Sequence, residues 1–387
     1  MSKILVVTDM DFGGSGYYYI SVPLFTELAR MGHEVRIVGL SYLGQEHNYP
    51  FSIIPCKDTN DAHALVHNLC VMPHTNPDVI IVALDIPMQI MFFEKFAQYK
   101  KPYIAITPLE NPPLTMSWTA QMFNFSWTFF ISELGKQAGL EAGLKKVDHL
   151  QVGIDSEFWH VPTAEEKVGL RKGMGIEEDE FVILTVADNQ ERKNLWAALS
   201  VTSELKKRGR KVKHILVTRV DSPFGWKIRD LALKLGINQE VMTMNRGMPK
   251  ENLWSLYAMS DCFLLTSKAE GLGLPIMEAM ASGLPVVATD TGAISELLAE
   301  GRGYLIPAEF EFIDVWGNST RCMFNIQKGA NIIDAMFLPE NKAVNEAVSQ
   351  TARKFIETRT WDVPAKQLAE KIEELTNELH QIPVSPQ

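Results

Sequence analysis

The chain has 387 residues, 46% of them hydrophobic and 22% charged, which is too long for one ordinary core and fits two domains best. Its net charge of −10 speaks against a nucleic-acid partner, since phosphate backbones demand basic surface, while a local basic patch against anionic lipid stays open. No apolar run approaches the ~20 residues of a spanning helix, and the scattered Cys56, Cys70, Cys262 and Cys322 fit a reducing cytoplasm better than a zinc site or a disulfide framework.

In chain order, Lys3–Thr8 reads as a buried strand, so the chain enters a strand at once and leaves no room for a signal peptide. The loop Asp9–Gly16 follows, then a helix from about Tyr17 to Met31, stopped by Gly32. Glu34–Gly39 is the next strand, and short apolar runs recur at Val79–Leu84, Tyr103–Thr107, Thr128–Ser132 and His149–Val152. Helical stretches lie between them, and this alternation predicts a mostly parallel, doubly wound α/β sheet. Gly153-Ile-Asp155 leads into a charged segment, Pro162–Glu180, expected to be loop-like and to separate the domains.

The alternation restarts at Phe181–Ala187. Leu195, Leu199 and Leu205 mark one face of a helix, and Val212–Thr218 is the next strand. A helix near Trp226–Leu235, a strand at Val241–Met244 and a helix at Lys250–Met259 follow. Glu300–Ala343, rich in aromatic and polar residues, reads as irregular. Ala347–Glu357 and Pro364–His380 are predicted helices, with a frayed tail at Gln381–Gln387.

The richest segment lies between Cys262–Thr266, a predicted buried strand, and Gly283. There Ser267-Lys-Ala-Glu-Gly-Leu-Gly-Leu-Pro-Ile-Met-Glu278 predicts a Gly-rich turn into a short helix opened by Pro275. Glu270 falls on the loop and Glu278 just inside the helix. Between them the N–H groups of Gly273 and Leu274 point out of a positive helix terminus, where glycine lets a ligand approach the main chain. Two acceptor side chains around an anion cradle suit a ligand with both phosphate and hydroxyl groups, such as a nucleotide sugar. Glu278 alone says little, because the macrodipole favours a glutamate in any first helical turn.

Other motifs are weaker. Gly13-Gly-Ser-Gly16 follows the first strand without dinucleotide-site spacing, and a phosphate loop and a packing turn are equally compatible with it. Asn189-Gln-Glu-Arg192-Lys193-Asn194 ends the second half's first strand, where Arg192 and Lys193 suit a diphosphate, one as a planar fork and one as a point charge. A solvated basic pair is the alternative, which the dipole at a helix start disfavours. Asn245-Arg-Gly-Met-Pro249 is compatible with a plain turn, and Arg219 is expected to be exposed. His63 and His67 lack a partner to complete a metal set, and no Asp-x-Asp pair is expected to supply a divalent-metal clamp.

Leu264 through Glu296 resembles the donor-site signature of retaining glycosyltransferases of family 4, which have the two-domain GT-B fold. Glu270-Gly-Leu-Gly-Leu-Pro-Ile-Met-Glu278-Ala-Met-Ala-Ser-Gly-Leu-Pro-Val-Val-Ala-Thr-Asp290 follows that pattern closely, and Thr291-Gly-Ala-Ile-Ser-Glu296 continues it. Gly153-Ile-Asp155 with Phe158 is similar to the family's domain junction. The resemblance implies two Rossmann-like domains facing across a cleft: 1–155 on the acceptor side, with helix 362–387 packing back on it, and 156–361 for the donor. It implies transfer of a sugar, with retention, from a UDP- or GDP-sugar to a glycan, lipid-linked or protein acceptor. No metal or other cofactor is expected, and the site of action would be the cytoplasm, in reach of a membrane surface.

In that scheme Glu270, Arg192 and Lys193 are catalytic. Arg192 and Lys193 lie on the diphosphate, Asn189 and Gly271 belong to the nucleotide-sugar site, and Gly13 and Gly14 face the donor phosphates and the acceptor. Gly247 and Met248 lie at the base, Glu278 at the ribose, and Gly273 and Leu274 at the sugar or distal phosphate. Glu270 holds hydroxyls of the transferred sugar. Two departures stand out. Ala187-Asp188 replaces the family's Gly-Arg pair, with Arg192 expected to take over, and Pro108 stands nearest the family's sugar-contacting histidine. Glu110 is close to that place, and Tyr17, Tyr18, Tyr19 and Trp118 are compatible with stacking on an acceptor sugar or with the core. Two rivals remain: a sugar-nucleotide epimerase of the same fold, which needs acid/base residues not identifiable here, and a catalytically silent nucleotide- or glycan-binding scaffold.

Overall fold

The computed structural model describes residues 1–381. It contains two compact units: unit 1 is Met1–Gly153 joined by the C-terminal segment from Arg359, and unit 2 is Ile154–Thr358.

Unit 1 runs β1 (Lys3–Asp9), α1 (Gly16–Arg30), β2 (Glu34–Leu40), β3 (Ser52–Cys56), α2 (Thr59–Val71), β4 (Val79–Ala83), α3 (Ile86–Phe96), β5 (Tyr103–Thr107), α4 (Met116–Met122), β6 (Trp127–Phe130), α5 (Glu133–Glu141) and β7 (Val147–His149). The strands pair in parallel in the order β3-β2-β1-β4-β5-β6-β7. β4 and β5 are buried along their whole length, as the interior of a sheet covered on both faces requires. From β1 the chain builds outward through β2 and β3, then returns to place β4 on the other side, so the connectivity reverses between β1 and β4. Open α/β sheets bind ligands at such a reversal, beyond the carboxyl ends of the strands. Buried Gln89 braces this region: its Nε2 donates to the carbonyls of Val82 at 2.7 Å and Ile106 at 3.0 Å, tying β4 to β5. β3 was not expected from the sequence. Its five residues include Pro55, which only the edge of a sheet tolerates, and β3 is that edge. β7 begins two residues earlier than the expected His149.

Unit 2 runs α6 (Ala164–Gly173), β8 (Phe181–Val186), α7 (Leu195–Lys207), β9 (Val212–Thr218), α8 (Ile228–Lys234), β10 (Val241–Asn245), α9 (Lys250–Met259), β11 (Cys262–Leu265), α10 (Leu274–Ala281), β12 (Val286–Thr289), α11 (Gly292–Leu298) and β13 (Tyr304–Ile306). These strands too pair in parallel, in the order β10-β9-β8-β11-β12-β13, and the reversal falls between β8 and β11. Fully buried His214 on β9 sits between the hydroxyls of Thr202 at 2.7 Å and Thr185 at 3.0 Å. Burial lowers its pKa to about 3, so it is a neutral, satisfied core residue.

Two expectations are corrected. The charged segment 162–180 is not a loop. It holds α6, opened by a capping box between Thr163 and Glu166, and it belongs to unit 2. Its charges are anchors, with Lys167 and Arg171 fastened to Asp261 at 2.8 and 3.0 Å. Nor is Glu300–Ala343 irregular. After β13 come an antiparallel hairpin of β14 (Ala308–Ile313) and β15 (Thr320–Phe324), then α12 (Ile326–Met336) and the start of α13 (Lys342–Glu357). The hairpin leaves Phe310, Ile313 and Val315 exposed and buries Arg321, which hides the usual inside–outside alternation. The last helix, α14 (Asp362–Gln381), packs on α1 within unit 1 and buries Leu368 and Ile372. The tail beyond Gln381, expected to fray, lies outside the described residues. Among the described residues no helix is long and apolar enough to cross a membrane. All four cysteines are free and buried.

Candidate functional site

The reversal in unit 2 brings together residues distant in sequence. Beyond β8 the chain makes a short 3-10 turn, Glu191–Lys193, and leaves it through Asn194 in the left-handed region at φ 51°. Beyond β11 the loop carrying Glu270 runs alongside. The Lys268 N–H donates to the Arg192 carbonyl at 2.8 Å, and the Thr266 hydroxyl donates to the Asn194 carbonyl at 3.0 Å.

These backbone ties seat Glu270, only 5% exposed, between two cations. Lys193 Nζ lies 2.5 Å from its Oε1 and Arg192 Nη1 lies 3.1 Å from its Oε2. Ser267 donates to Oε1 at 2.6 Å, and Arg192 also donates to the Ala269 carbonyl at 2.7 Å. Burial by itself would push this carboxyl up, but Lys193 and Arg192 outweigh it and hold the pKa at about 2. Glu270 is therefore ionised, and the three side chains together carry one surplus positive charge. The solvated basic pair of the sequence alternative is not what forms.

Gly273 then caps α10 at φ 98°, where any side chain would be strained and a Cβ would meet Ile276 Cδ1 at 3.2 Å. Gly271 is buried and Leu274 half-buried at the same turn. Glu278 lies beyond the first helical turn, so the macrodipole does not account for it. It is 9% exposed, and the Tyr257 hydroxyl on α9 donates to its Oε2 at 2.8 Å. Burial pushes its pKa up to about 7, with Tyr257 and Lys250 pulling partly back. The two glutamates of one loop-and-helix unit thus differ widely in proton affinity: one faces cations and the other a phenol.

Several neighbours were missed or misread in the sequence. Tyr257 is one; a contact across two helices leaves no local signal. Asn189 is another. It is 2% exposed, donates to the carbonyls of Trp226 at 2.9 Å and Arg219 at 3.2 Å, and accepts from the Trp226 N–H at 2.8 Å. Its side chain is thus a clamp on the 219–226 loop rather than a group offered to the nucleotide sugar. Asp188, standing where the family's arginine was expected, holds Arg219 at 3.4 Å and Arg246 at 3.3 Å; Arg219 is exposed, as expected, yet paired. Gly247 is exposed and Met248 half-buried on the loop between β10 and α9. The β14–β15 hairpin braces the Glu270 loop: the Cys322 N–H donates to the Lys268 carbonyl at 2.9 Å, and buried Lys268 pairs with Glu191.

In unit 1, the Gly13 N–H donates to Asp11 Oδ1 at 2.8 Å and Gly14 sits at φ 111°. Contrary to expectation, the chain does hold an Asp-x-Asp pair, Asp9-Met10-Asp11. Asp9 Oδ1 accepts from the Asp11 N–H at 3.2 Å, so these carboxylates shape the glycine loop. Among the described residues no group of three His, Cys, Asp or Glu is placed to hold a metal ion. His63 stands edge-on to Phe92 and Phe96, and His67 bonds the Tyr99 hydroxyl at 2.8 Å.

Comparison with known proteins agrees with this layout. Residues 169–311 match the family model of glycosyl transferases group 1. N-acetyl-alpha-D-glucosaminyl L-malate synthase of Bacillus anthracis is 25% identical over 326 residues, which are 78% of this chain and 83% of the relative. The GDP-mannose-dependent alpha-(1-6)-phosphatidylinositol monomannoside mannosyltransferase of Mycolicibacterium smegmatis is 29% identical over 181 residues, 45% of this chain and 44% of the relative. Among solved structures, HepE of Anabaena in complex with UDP-glucose superposes with a TM-score of 0.75 at 18% identity, covering 97% of this chain and 100% of that one. Sucrose-phosphate synthase of Thermosynechococcus elongatus superposes with a TM-score of 0.79 at 15% identity, covering 98% and 100%. Those structures establish the GT-B fold of two Rossmann-like units. The family match falls on the segment that carries Arg192, Lys193, Glu270 and Glu278, so it is this part of the chain that is similar to the group 1 glycosyltransferases.

Proposed function

We propose that the chain is a family 4 retaining glycosyltransferase. It moves a sugar from a UDP- or GDP-sugar to a hydroxyl of a glycan, lipid-linked or protein acceptor, without a metal ion. The observation that carries this reading is the meeting of Arg192, Lys193 and Glu270 at the β8/β11 reversal, beside the Gly273 terminus of α10. That arrangement has one positive charge in excess, and a nucleoside diphosphate supplies the negative charge that answers it.

In this scheme Arg192 and Lys193 turn to the diphosphate, and Glu270 accepts from hydroxyls of the transferred sugar. The N–H groups of Gly273 and Leu274, beside Gly271, receive the sugar or the distal phosphate. Glu278 accepts from the ribose, and Gly247 and Met248 offer main-chain groups to the base. The bond from the anomeric carbon to the diphosphate oxygen breaks, and its electron pair leaves on the diphosphate. The acceptor oxygen bonds on the same face, and its proton passes to the departing phosphate. Fixed charge on the leaving group is the main catalytic term. A cytoplasmic site of action, peripheral to a membrane for a lipid-linked acceptor, belongs to the same reading. The relatives' names give different acceptors, L-malate and phosphatidylinositol monomannoside, so none is carried over.

The test is thermal stabilisation by UDP, GDP, ADP and their sugars, with and without EDTA, since a ligand of the native state raises its stability with occupancy. A shift with one nucleoside diphosphate that EDTA leaves unchanged is expected. No shift with any of them would remove the donor site, and an inverted anomeric product by NMR would remove retention. An epimerised sugar from donor alone would favour the epimerase.

A further inference from the structure

We infer that the acceptor is an uncharged sugar, held by an aromatic and carboxylate surface at the β1/β4 reversal of unit 1; this rests on the transferase reading above. Tyr17, in the first turn of α1, donates its hydroxyl to Asp85 Oδ1 at 2.6 Å. Asp85 precedes α3, directly after β4, so this pair spans the place where the sheet reverses. From the next residue of α1, the Tyr18 hydroxyl lies 2.6 Å from that of Tyr49. Phe12 packs on Tyr18 with ring centroids 4.8 Å apart, and His47 stacks on Tyr49 at 4.9 Å.

Phe12, Tyr17, Tyr18, His47 and Tyr49 are all half-buried, so each ring keeps a wet edge or face. Such rings pack against the C–H face of a pyranose, while phenol and carboxylate oxygens accept from its hydroxyls.

Charge decides which class of acceptor fits. Nearest the reversal at this end of the sheet, residues 10–15, 41–51, 84–85 and 108–115 contain no Lys or Arg but carry Asp11, Glu46, Asp85 and Glu110, and the loop beyond edge strand β3 adds one cation, Lys57, next to Asp58. A phosphate or carboxylate brought to the reversal meets like charge and no cation from the segments nearest it, a juxtaposition that discriminates against anionic partners. A neutral polyhydroxyl ligand meets no such penalty. The equivalent place in unit 2 holds Arg192 and Lys193 instead. The same topological position therefore has opposite chemistry in the two units, one for a diphosphate and one for an uncharged sugar.

The test uses the full chain and saturation-transfer NMR with the methyl glycosides of glucose, galactose and mannose, the matching sugar 6-phosphates, and phosphatidylglycerol vesicles. At least one methyl glycoside is expected to bind. Tyr17→Phe and Asp85→Asn should each weaken it tenfold or more, without moving the thermal midpoint by more than the variants' own nucleotide-induced shift. Neither the 6-phosphates nor the vesicles should bind more tightly than the neutral sugar. Tighter binding of a 6-phosphate or a vesicle, neutral binding that survives both variants, or no neutral binding at all would overturn the inference. Nucleotide-induced stabilisation, read in the same samples, separates the two failures. If it persists while neutral sugars fail, only the acceptor inference falls; if it too is absent, the transferase reading falls with it.

Discussion

The two units solve one topological problem with opposite charges. In each, a parallel sheet reverses direction between two central strands, and the loops beyond those strands meet. In unit 2 the meeting is ionic and buried: Glu270 is locked between Lys193 and Arg192. In unit 1 it is phenolic and half-exposed, with Tyr17 on Asp85 and Tyr18 on Tyr49. The fold thus supplies the place, and the side chains on two loops supply the chemistry. A buried ionic cluster is also the more fragile of the two, because removing one member strands the others.

The largest effect should come from breaking that cluster. Glu270→Ala leaves Arg192 and Lys193 facing each other without their carboxylate, and is expected to destabilise unit 2 by about 3–5 kcal/mol. Sugar transfer should fall by at least ~100-fold, while UDP or GDP affinity is largely kept. Asp85→Asn keeps an amide oxygen that accepts from the Tyr17 phenol and loses the charge, and should cost about 1 kcal/mol or less. Urea unfolding with turnover assays would check both, and equal stability losses in the two variants would erase the contrast.

The next contrast lies within unit 2, between its glutamates. Glu270, with a folded pKa of about 2 against an ordinary 4.5, adds stability that is complete above pH 4.5 and is lost as the pH falls toward 2. Glu278, with a folded pKa of about 7, does the reverse: its contribution is complete below pH 4.5 and is lost as the pH rises through 7. Each limb is worth about 3 kcal/mol. Stability against pH should therefore pass through a maximum on the acid side of neutrality, and Glu278→Gln should flatten the descent toward pH 7. If the ribose hydroxyls donate to Glu278, they need its ionised form, so nucleotide affinity should fall about tenfold per pH unit well below 7. Tyr257→Phe, which removes a bond favouring that form, should move the midpoint upward. A calorimetric titration in which affinity is flat with pH would detach Glu278 from the ribose.

Asn189→Ala comes next in size. The Trp226 N–H and the carbonyls of Arg219 and Trp226 lose their partner, which should cost about 1–3 kcal/mol. A stability loss in that range, with the loop 219–226 cut faster by protease, is the outcome expected of a clamp. Unchanged stability with lost nucleotide affinity would restore it as a direct ligand contact.

Much of this was legible in the sequence where a single element carries its own signal. The buried parallel strands are near-continuous apolar runs, and Pro275 and Gly283 bracket α10 as the helix-start and helix-stop rules require. Failures came where structure depends on partners far along the chain. β3 forms at an edge despite Pro55, and α6 looks like a loop until Asp261 gathers Lys167 and Arg171. In the candidate site, Glu270, Glu278, Arg192 and Lys193 were singled out by type and spacing. That the two cations sit on Glu270, that Tyr257 sits on Glu278, and that Asn189 faces inward follow from contacts between elements, which no local pattern records. The aromatic surface of unit 1 was visible only as a list of tyrosines, because Tyr49 and Asp85 are joined to it by the fold alone.

The smallest expected effect is also the most direct comparison of the two units. If a diphosphate is held by Arg192 and Lys193, part of its affinity is charge on charge, and added salt should weaken UDP or GDP binding a few-fold. The reduction stays modest because half-buried side chains are screened less than surface ions. An uncharged sugar on the Tyr17–Asp85 surface has no such component, so methyl glycoside binding should not change over the same salt range. Measuring both ligands on one sample makes each the control for the other. A general effect of salt on the protein would move the two curves together, whereas a difference in charge between the two sites moves only the nucleotide's. Parallel curves would mean that the opposite character of the two reversals has no consequence for binding.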